Sequence, residues 1–177
     1  MHINVYSYEF PGPLGRIGIA ETDGSISRLF LSFAADGLDS VELFHMFSKE
    51  KLTYKCGLEA RESAPLRLAA KQIEEYLGGA RASFEIPLTY SKKGFAGAVY
   101  DELQKIPAGQ TRSYKEIAEL CDNPKAYRAV GMLNHNNPIP IFIPCHRVVG
   151  SDGGLTGYAG GLQLKKYLLD LEKKYYA

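Results

Sequence analysis

The chain carries, at residues 141–149, the run Ile-Phe-Ile-Pro-Cys-His-Arg-Val-Val, which places a thiol and an imidazole side by side among apolar residues. A run rich in Ile and Val predicts a buried strand or the end of one. Ionisable groups are normally excluded from such a place because desolvating them costs free energy. We therefore interpret Cys145 and His146 as residues kept for chemistry rather than for packing.

The overall composition is that of an ordinary globular protein. Of the 177 residues, 45% are hydrophobic and 23% are charged, and the formal net charge is +1. A charge so close to zero gives no overall field that attracts nucleic acid, so any contact with DNA must use a local surface. No apolar run approaches the ~20 residues of a membrane-spanning helix, and the first ten residues do not resemble a signal peptide. No membrane partner is expected.

The cysteines bear on location and on metal binding. Cys56, Cys121 and Cys145 are an odd number at unrelated spacings, with no CxxC or Cys/His pattern typical of a metal site. We therefore predict a reducing, intracellular setting and no structural zinc. The location expected is the cytoplasm, or the nucleus if the source is eukaryotic.

The N-terminal half predicts a small antiparallel sheet with helices. Strands are expected at residues 5–10, 15–21, 26–31 and 84–88, and helices at residues 39–47 and 63–77. The Asp23-Gly24 pair between the second and third strands is a strong hairpin signal. Near residue 91 the pattern changes to helices, so we place a boundary between domains 1–91 and 92–177. The fold class is therefore α+β.

The C-terminal half predicts helices at residues 95–106, 113–121, 124–135 and 160–175. The two middle helices, separated by a tight turn, are typical of a helix-turn-helix. Ser113 and Glu116 form a capping box at the start of the first. Asn123 suits the N-cap of the second, and Pro124 its first position.

Each middle helix has one apolar face. The faces are Tyr114, Ile117, Ala118 and Cys121 in the first helix, and Ala126, Ala129, Val130 and Leu133 in the second. Arg128, Gly131 and His135 point the opposite way, which exposes Arg128 to solvent. Gly131 costs about 1 kcal/mol relative to Ala in mid-helix, which indicates close approach of another surface. An ordinary helical hairpin with a solvated Arg explains the pattern equally well.

Several motifs converge on one family. They are Thr-Arg-Ser-Tyr at 111–114, Asn-Pro-Lys-Ala at 123–126, Arg-Ala-Val-Gly at 128–131, Asn-Pro-Ile-Pro at 137–140, Pro-Cys-His-Arg-Val-Val at 144–149 and Gly-Tyr-Ala-Gly-Gly-Leu at 157–162. Together they resemble the O6-alkylguanine-DNA alkyltransferases, or methylated-DNA–protein-cysteine methyltransferases. The match covers about residues 95–172. The resemblance implies a ribonuclease H-like N-terminal domain and a helix-turn-helix in the C-terminal one.

The resemblance also implies an irreversible, stoichiometric reaction without a cofactor. Cys145 would accept an alkyl group from O6 of guanine, and also from O4 of thymine. His146 would be the base, acting through a water molecule, and Glu172 would orient it. Asn137 would support the hinge and the thiol. A bridging water suits adjacent residues of an extended chain, since their side chains point to opposite faces.

The partner implied by the resemblance is double-stranded DNA carrying O6-alkylguanine, bound by a monomer. Tyr114 would help rotate and polarise the guanine, and Arg128 would fill the gap that the base leaves. Gly131 and His135 would face DNA. The walls of the base pocket would be Pro140, Val148, Tyr158, Ala159 and Gly160.

Three other functions compete with this one. A non-catalytic binder of alkylated DNA would share the fold but lack the acceptor cysteine. A helix-turn-helix regulator would hold Cys145 only as a buried thiol. A Cys-His hydrolase would need a separate His in direct contact with the sulfur and an oxyanion hole.

Met132 and Leu133 depart from the small residues or Asn common in the family. We also expect Arg147 to be structural and Lys165 and Lys166 to be solvated.

Overall fold

The structure is a computed structural model that describes residues 2–31, 57–59 and 62–177. The chain divides into two compact units, Met1–Glu75 with Glu85–Thr89 and Tyr76–Phe84 with Tyr90–Ala177. The predicted helix at residues 39–47 and Cys56 lie outside the described residues. Within the described ranges, no helix has both the length and the apolar character required to cross a bilayer.

The first unit contains a small sheet, as predicted. Its strands are β1 (His2–Phe10), β2 (Gly15–Thr22), β3 (Ser25–Leu31) and β4 (Gly57–Glu59). The order is β3-β2-β1-β4, with β1, β2 and β3 antiparallel and β4 parallel to β1. Asp23 and Gly24 both have positive φ, at 47° and 87°, which is the conformation of a type I′ hairpin turn. The predicted α+β class and the antiparallel meander are confirmed.

The predicted strand at residues 84–88 is wrong. Only Leu88 forms an isolated bridge, to Ile26. The backbone N–H of Ile26 donates to Pro87 at 2.8 Å, and that of Thr89 donates to Ile26 at 2.8 Å. Pro87 has no N–H to donate, which limits a continuous ladder there.

Helix α1 (Ala64–Leu77) follows the predicted pattern closely. Leu66, Ala69, Ala70 and Ile73 are all buried. Gly79 has a φ of 78°, which suits the left-handed residue that ends a helix. The last two residues of α1, Tyr76 and Leu77, belong to the second unit.

The second unit contains the remaining helices and a two-stranded sheet. These are α2 (Gly94–Gln104), β5 (Arg112–Ser113), α3 (Tyr114–Leu120), α4 (Tyr127–His135), β6 (Val148–Val149) and α5 (Gly161–Tyr175). β5 and β6 are parallel. The capping box of α3 is confirmed, since the Glu116 N–H donates to the Ser113 hydroxyl and the Ser113 N–H donates to the Glu116 carboxylate.

Helix α4 begins three residues later than predicted. Ala126, not Asn123, occupies the N-cap position. The Ala126 N–H donates to the Asn123 carbonyl at 2.9 Å, which places Pro124 inside a turn. The buried side chains of α4 are Val130 and Asn134, whereas Ala129 is exposed. The expected Ala/Val/Leu stripe is therefore only partly buried.

The run at residues 141–149 is buried throughout, as predicted, but is not a strand over most of its length. Cys145–Arg147 form a 3-10 turn, and only Val148 and Val149 are extended. Pro144 cannot donate to a ladder, and Ile141 has a φ of 75°. The chain therefore turns at the Cys-His-Arg triplet, so the alternation of side chains expected of a strand does not apply there.

Candidate active site

The thiol of Cys145 lies in the 3-10 turn with only 1% of the residue exposed. The Asn137 amide nitrogen donates to Sγ over 3.1 Å and to the Ile143 carbonyl over 2.8 Å. The Asn137 amide oxygen accepts from the Ile139 N–H at 3.0 Å. Asn137 thus connects the segment after α4 to the turn that carries the sulfur, and holds both in place.

Burial makes the Cys145 thiol a weak acid. Desolvation raises the pKa of Cys145 to about 11, although the Asn137 hydrogen bond and the charge of Lys165 oppose the rise. At neutral pH the thiol is therefore protonated at rest. Because the thiolate is the nucleophile, a nearby base must remove the proton when the sulfur reacts.

The His146 imidazole is fully buried and has one free nitrogen. Nε2 lies 2.9 Å from Glu172 Oε1. Nδ1 is buried and has no hydrogen-bond partner among the described residues. Burial lowers the pKa of His146 despite the opposing effect of Glu172, so the ring is neutral at rest. We assign the proton to Nε2, which faces the carboxylate, and this leaves the lone pair of Nδ1 to act as a base.

The Glu172 carboxylate backs the imidazole and is held by several donors. Arg147 Nη2 and Nε donate to Oε1 at 2.8 and 3.0 Å, and Nε also reaches Oε2 at 3.1 Å. The Gly109 N–H donates to Oε2 at 3.0 Å. Burial alone would raise the pKa of Glu172, but His146 and Arg147 outweigh it and hold that pKa well below its ordinary range. The carboxylate is therefore ionised.

Arg147 occupies the structural position expected of it. Besides Glu172, its guanidinium donates through Nη1 to the Ile106 carbonyl at 2.5 Å. The residue is 5% exposed. It therefore ties the 3-10 turn to α5 and to the segment after α2.

The prediction that Lys165 is solvated is wrong. Lys165 is 0% exposed, and its ammonium donates to the Val148 carbonyl at 2.6 Å, the Thr156 carbonyl at 2.8 Å and the Tyr114 hydroxyl at 3.4 Å. Burial lowers the pKa of Lys165 to about 8, against the opposing effect of Cys145. Its spacing of three and seven residues from Leu168 and Glu172 was the signal that places it on the buried face of α5.

Tyr76 is a second residue that the sequence did not single out. Its hydroxyl donates to Glu172 Oε1 at 2.7 Å and lies 3.4 Å from His146 Nε2. Its spacing from Ala69 and Ile73 on α1 indicates burial but gives no sign of a role beside a carboxylate.

The residues expected to face DNA are distributed over α3 and α4. Arg128 and His135 are exposed on α4. A Cβ added at Gly131 would lie 3.8 Å from the ring of Tyr114, which is an ordinary van der Waals distance, so this contact does not itself require a glycine. The Tyr114 hydroxyl donates to the Thr156 carbonyl at 3.0 Å.

The residues expected to wall a base pocket differ in exposure. Pro140, Val148, Tyr158 and Gly160 are buried, whereas Ala159 is exposed. The Tyr158 hydroxyl has no hydrogen-bond partner in the described part of the chain. Burial raises the pKa of Tyr158, and the charges of Cys145 and Glu172 raise it further.

Four of the predicted site residues meet directly: Asn137 with Cys145, and His146 with Glu172. Tyr114 and Gly131 form a third pair, and Lys165 links Tyr114 to the carbonyl of Val148. Across residues 2–31, 57–59 and 62–177, no group of three or more His, Cys, Asp or Glu side chains could hold a metal ion.

Comparison with known proteins identifies what this arrangement belongs to. Residues 94–174 match the family model described as 6-O-methylguanine DNA methyltransferase, DNA binding domain. The chain is 41% identical over 162 residues to the constitutive methylated-DNA–protein-cysteine methyltransferase of Bacillus subtilis, covering 91% of each protein. It is 53% identical over 107 residues to the methylated-DNA–protein-cysteine methyltransferase of Methanosarcina barkeri, covering 60% of this chain and 68% of that one.

A solved structure extends the similarity to the whole fold. The crystal structure of Mycobacterium tuberculosis OGT in complex with DNA has a TM-score of 0.78 and 31% identity, covering 97% of this chain and 94% of that chain. One conclusion follows from these relatives, from the buried Cys145 and from the His146–Glu172 pair next to it in sequence. The chain belongs to the methylated-DNA–protein-cysteine methyltransferase family.

Proposed function

We propose that Cys145 accepts an alkyl group from O6 of guanine in duplex DNA, and also from O4 of thymine, as a direct reversal of the damage. One observation carries this proposal: in a member of this family, the buried Cys145 thiol accepts a hydrogen bond from Asn137 and is followed in sequence by His146, which pairs with Glu172. The product is a thioether, which thiol exchange does not reverse. Each protein molecule would therefore repair one lesion.

The proton of the thiol must move as the sulfur reacts. We assign its acceptor as His146 Nδ1, reached through one water molecule, because that nitrogen is buried and has no protein partner among the described residues. Glu172 then stabilises the imidazolium at Nε2. The sulfur forms a bond to the alkyl carbon, the bond from that carbon to O6 breaks, and the electron pair leaves with the guanine. The Tyr114 hydroxyl would exchange its hydrogen bond to the Thr156 carbonyl for one to the base, and donate to it as this negative charge develops.

The DNA would be bound by the face of α4 that carries Arg128. From residue 123 to residue 151 the chain contains no Asp or Glu, while Lys125 and Arg128 are exposed there. A basic surface without acidic residues favours a phosphate backbone despite the near-neutral total charge. We interpret α3 and α4 as a helix-turn-helix whose second helix faces the duplex.

The alkylated base would be flipped out of the stack, because chemistry on a base requires access that a duplex denies. Arg128 would occupy the gap, and Gly131 and His135 would lie against the DNA. The base would enter a pocket walled by the residues predicted for that role, Pro140, Val148, Tyr158, Ala159 and Gly160. We further propose that the protein acts as a monomer in the cytoplasm. Residues 1–91 would form a ribonuclease H-like domain, and residues 92–177 the DNA-binding, alkyl-accepting domain.

The deciding experiment is incubation with a duplex containing O6-methylguanine, followed by intact mass measurement and peptide mapping. We expect one methyl group, on the Cys145 peptide. The Cys145→Ala variant should bind DNA without being methylated, and the matched Cys121→Ala variant should be methylated like the original protein. Binding without methylation would favour the non-catalytic binder, and repair of many lesions per molecule would refute the stoichiometric reaction.

The role of Arg128 has its own test. Arg128→Ala should slow methyl transfer from the duplex far more than from O6-methylguanine in a single strand, because only the duplex has a gap to fill. Lys125→Ala, an exposed cation just before the same helix, is the matched control and should affect the two substrates similarly. Equal losses on both substrates for Arg128→Ala would contradict the gap-filling role.

A further inference from the structure

Tyr76 presents a hydroxyl to the site, and the mechanism above gives it no part. The residue is 0% exposed. Its ring stacks on Tyr176 with centroids 6.1 Å apart and lies 5.4 Å from the ring of Phe84. The Tyr176 hydroxyl donates to the Tyr76 carbonyl at 2.8 Å. These contacts hold the phenol firmly, with its oxygen 2.7 Å from Glu172 Oε1.

The direction of the hydrogen bonds follows from the charge of the carboxylate. Glu172 is ionised because Arg147 pairs with it, so its oxygens can only accept. Tyr76 therefore gives its single proton to Oε1, and the phenol oxygen turns its lone pairs toward His146 Nε2 at 3.4 Å. The proton on Nε2 then has a strong acceptor in Oε1 and a weaker one in the phenol. Both contacts keep the proton on Nε2 and leave Nδ1 free for the thiol proton.

Oε1 is crowded with donors. It accepts from Tyr76 at 2.7 Å, from His146 at 2.9 Å and from two nitrogens of Arg147. A carboxylate oxygen has about two lone-pair sites, so these donors compete. The Tyr76 hydroxyl consequently limits how strongly Oε1 can stabilise a proton shared with the imidazole.

We propose that Tyr76 is a positioning residue in the proton relay, which holds Glu172 Oε1 in line with His146 and sets the basicity of the imidazole. This inference rests on the proposed alkyl transfer to Cys145. The hydroxyl acts through Glu172 and His146 and touches no reacting atom.

The groups that face His146 come from several elements. Glu172 and Lys165 approach from α5, Arg147 and Cys145 from its own turn, and Tyr76 from α1. Arg147 and Lys165 disfavour the imidazolium and Glu172 favours it. Removing the Tyr76 hydroxyl leaves these charges in place, so a change in the pH profile reports on the hydroxyl itself.

The test is the single-turnover rate of methyl transfer from an O6-methylguanine duplex at saturating concentration, measured across pH. His146 must be neutral to accept the proton, so the rate falls on the acidic side. In Tyr76→Phe, Oε1 no longer accepts a hydrogen bond from the phenol, so it can accept more strongly from the imidazolium. The imidazole therefore becomes more basic, and the acidic limb of the pH–rate profile should move to higher pH by roughly half a unit to one unit. The plateau rate should fall about three- to tenfold as the carboxylate loses one restraint.

Two further variants distinguish a positioning role of the Tyr76 hydroxyl from a packing role of its ring. Tyr176→Phe removes the hydroxyl bonded to the Tyr76 backbone but leaves the contact with Glu172, and its acidic limb should match the original. Replacing Tyr76 by 3-fluorotyrosine keeps the ring and makes a stronger donor, so the limb should move to lower pH. This variant also serves if Tyr76→Phe does not fold.

An acidic limb that is unchanged in both Tyr76 variants, or that moves equally in Tyr176→Phe, would overturn the inference. Its failure is distinguishable from failure of the proposed function, because the original protein is measured in parallel. An original protein that receives no methyl group refutes the alkyl transfer itself. If the original protein is methylated normally and the pH–rate profiles of the Tyr76 variants match its own, only the positioning role is refuted.

Discussion

Replacing Arg147 by Met should destabilise the protein severely. The change keeps most of the aliphatic stem but removes the guanidinium, which makes three hydrogen bonds to Glu172 and one to the Ile106 carbonyl. The Glu172 side chain is only 1% exposed, so its charge would remain buried without its ionic partner. Breaking a buried pair in this way costs about 3–5 kcal/mol. For a protein of this length that corresponds to a fall in Tm of about 6–20 °C.

The assay is urea unfolding at neutral pH, with thermal unfolding as a second measurement. Lys166→Met is the matched control, because Lys166 pairs with Asp170 at 2.6 Å on the same helix as Glu172, with side chains 66% and 61% exposed. An exposed pair contributes about 0–1 kcal/mol. If Arg147→Met and Lys166→Met lose similar stability, the buried pair does not hold the site together and the reasoning fails. A smaller loss in the Arg147→Met, Glu172→Leu double variant than the sum of the single losses would show that the two side chains are coupled.

Four further predictions address the thiol, its neighbours and the carboxylate. Methylation of Cys145 adds a group to a packed site and should cost about 1–3 kcal/mol, so calorimetry should show a lower Tm for the methylated protein; an equal or higher Tm would contradict this. Lys165→Met removes a charge that lowers the pKa of Cys145, so the rate of methyl transfer should need higher pH, and an unshifted rate profile would count against that electrostatic role. Asn137→Leu removes the donor to Sγ and should both raise the thiol pKa and destabilise the fold by about 1–3 kcal/mol for the backbone groups left unpaired, as measured by transfer rate and urea unfolding; retention of both would be inconsistent with the hinge role. The pKa of Glu172 is lower folded than the unfolded value of about 4.3, so the unfolded state takes up the proton first, and stability from this group is present above that value and is lost as pH falls through and below it; Glu172→Gln should show a shallower loss on acidification, and an equal slope would refute this assignment.

Local sequence signals predicted many of the elements correctly. The Asp23-Gly24 turn, the capping box of Ser113 and Glu116, and the apolar stripe of α1 depend on interactions within a few residues, so they can be recognised without tertiary contacts. The start of α4 was less predictable. Asn123 and Pro124 suit both a helix start and a turn. The backbone hydrogen bond from the Ala126 N–H to the Asn123 carbonyl shows that they form a turn.

The strand predicted at residues 141–149 shows the limit of periodicity. A short apolar run indicates burial but does not distinguish a strand from a turn packed in the core. The Cys145–Arg147 turn directs the His146 and Arg147 side chains to one carboxylate, an arrangement that alternation along a strand would not produce.

The order of residues along the chain was enough to predict the chemistry available to this protein, because the cysteine, the imidazole and their neighbouring motifs lie close together in the sequence. How those groups ionise, and which side chains they contact, depends on the folded arrangement of distant segments. Tyr76 and Glu172 are 96 residues apart, and Arg147 and Ile106 are 41 apart, yet each pair is in hydrogen-bond contact. Contacts over such separations arise from packing of distant elements, and the burial that comes with them sets the pKa values on which the proton relay depends.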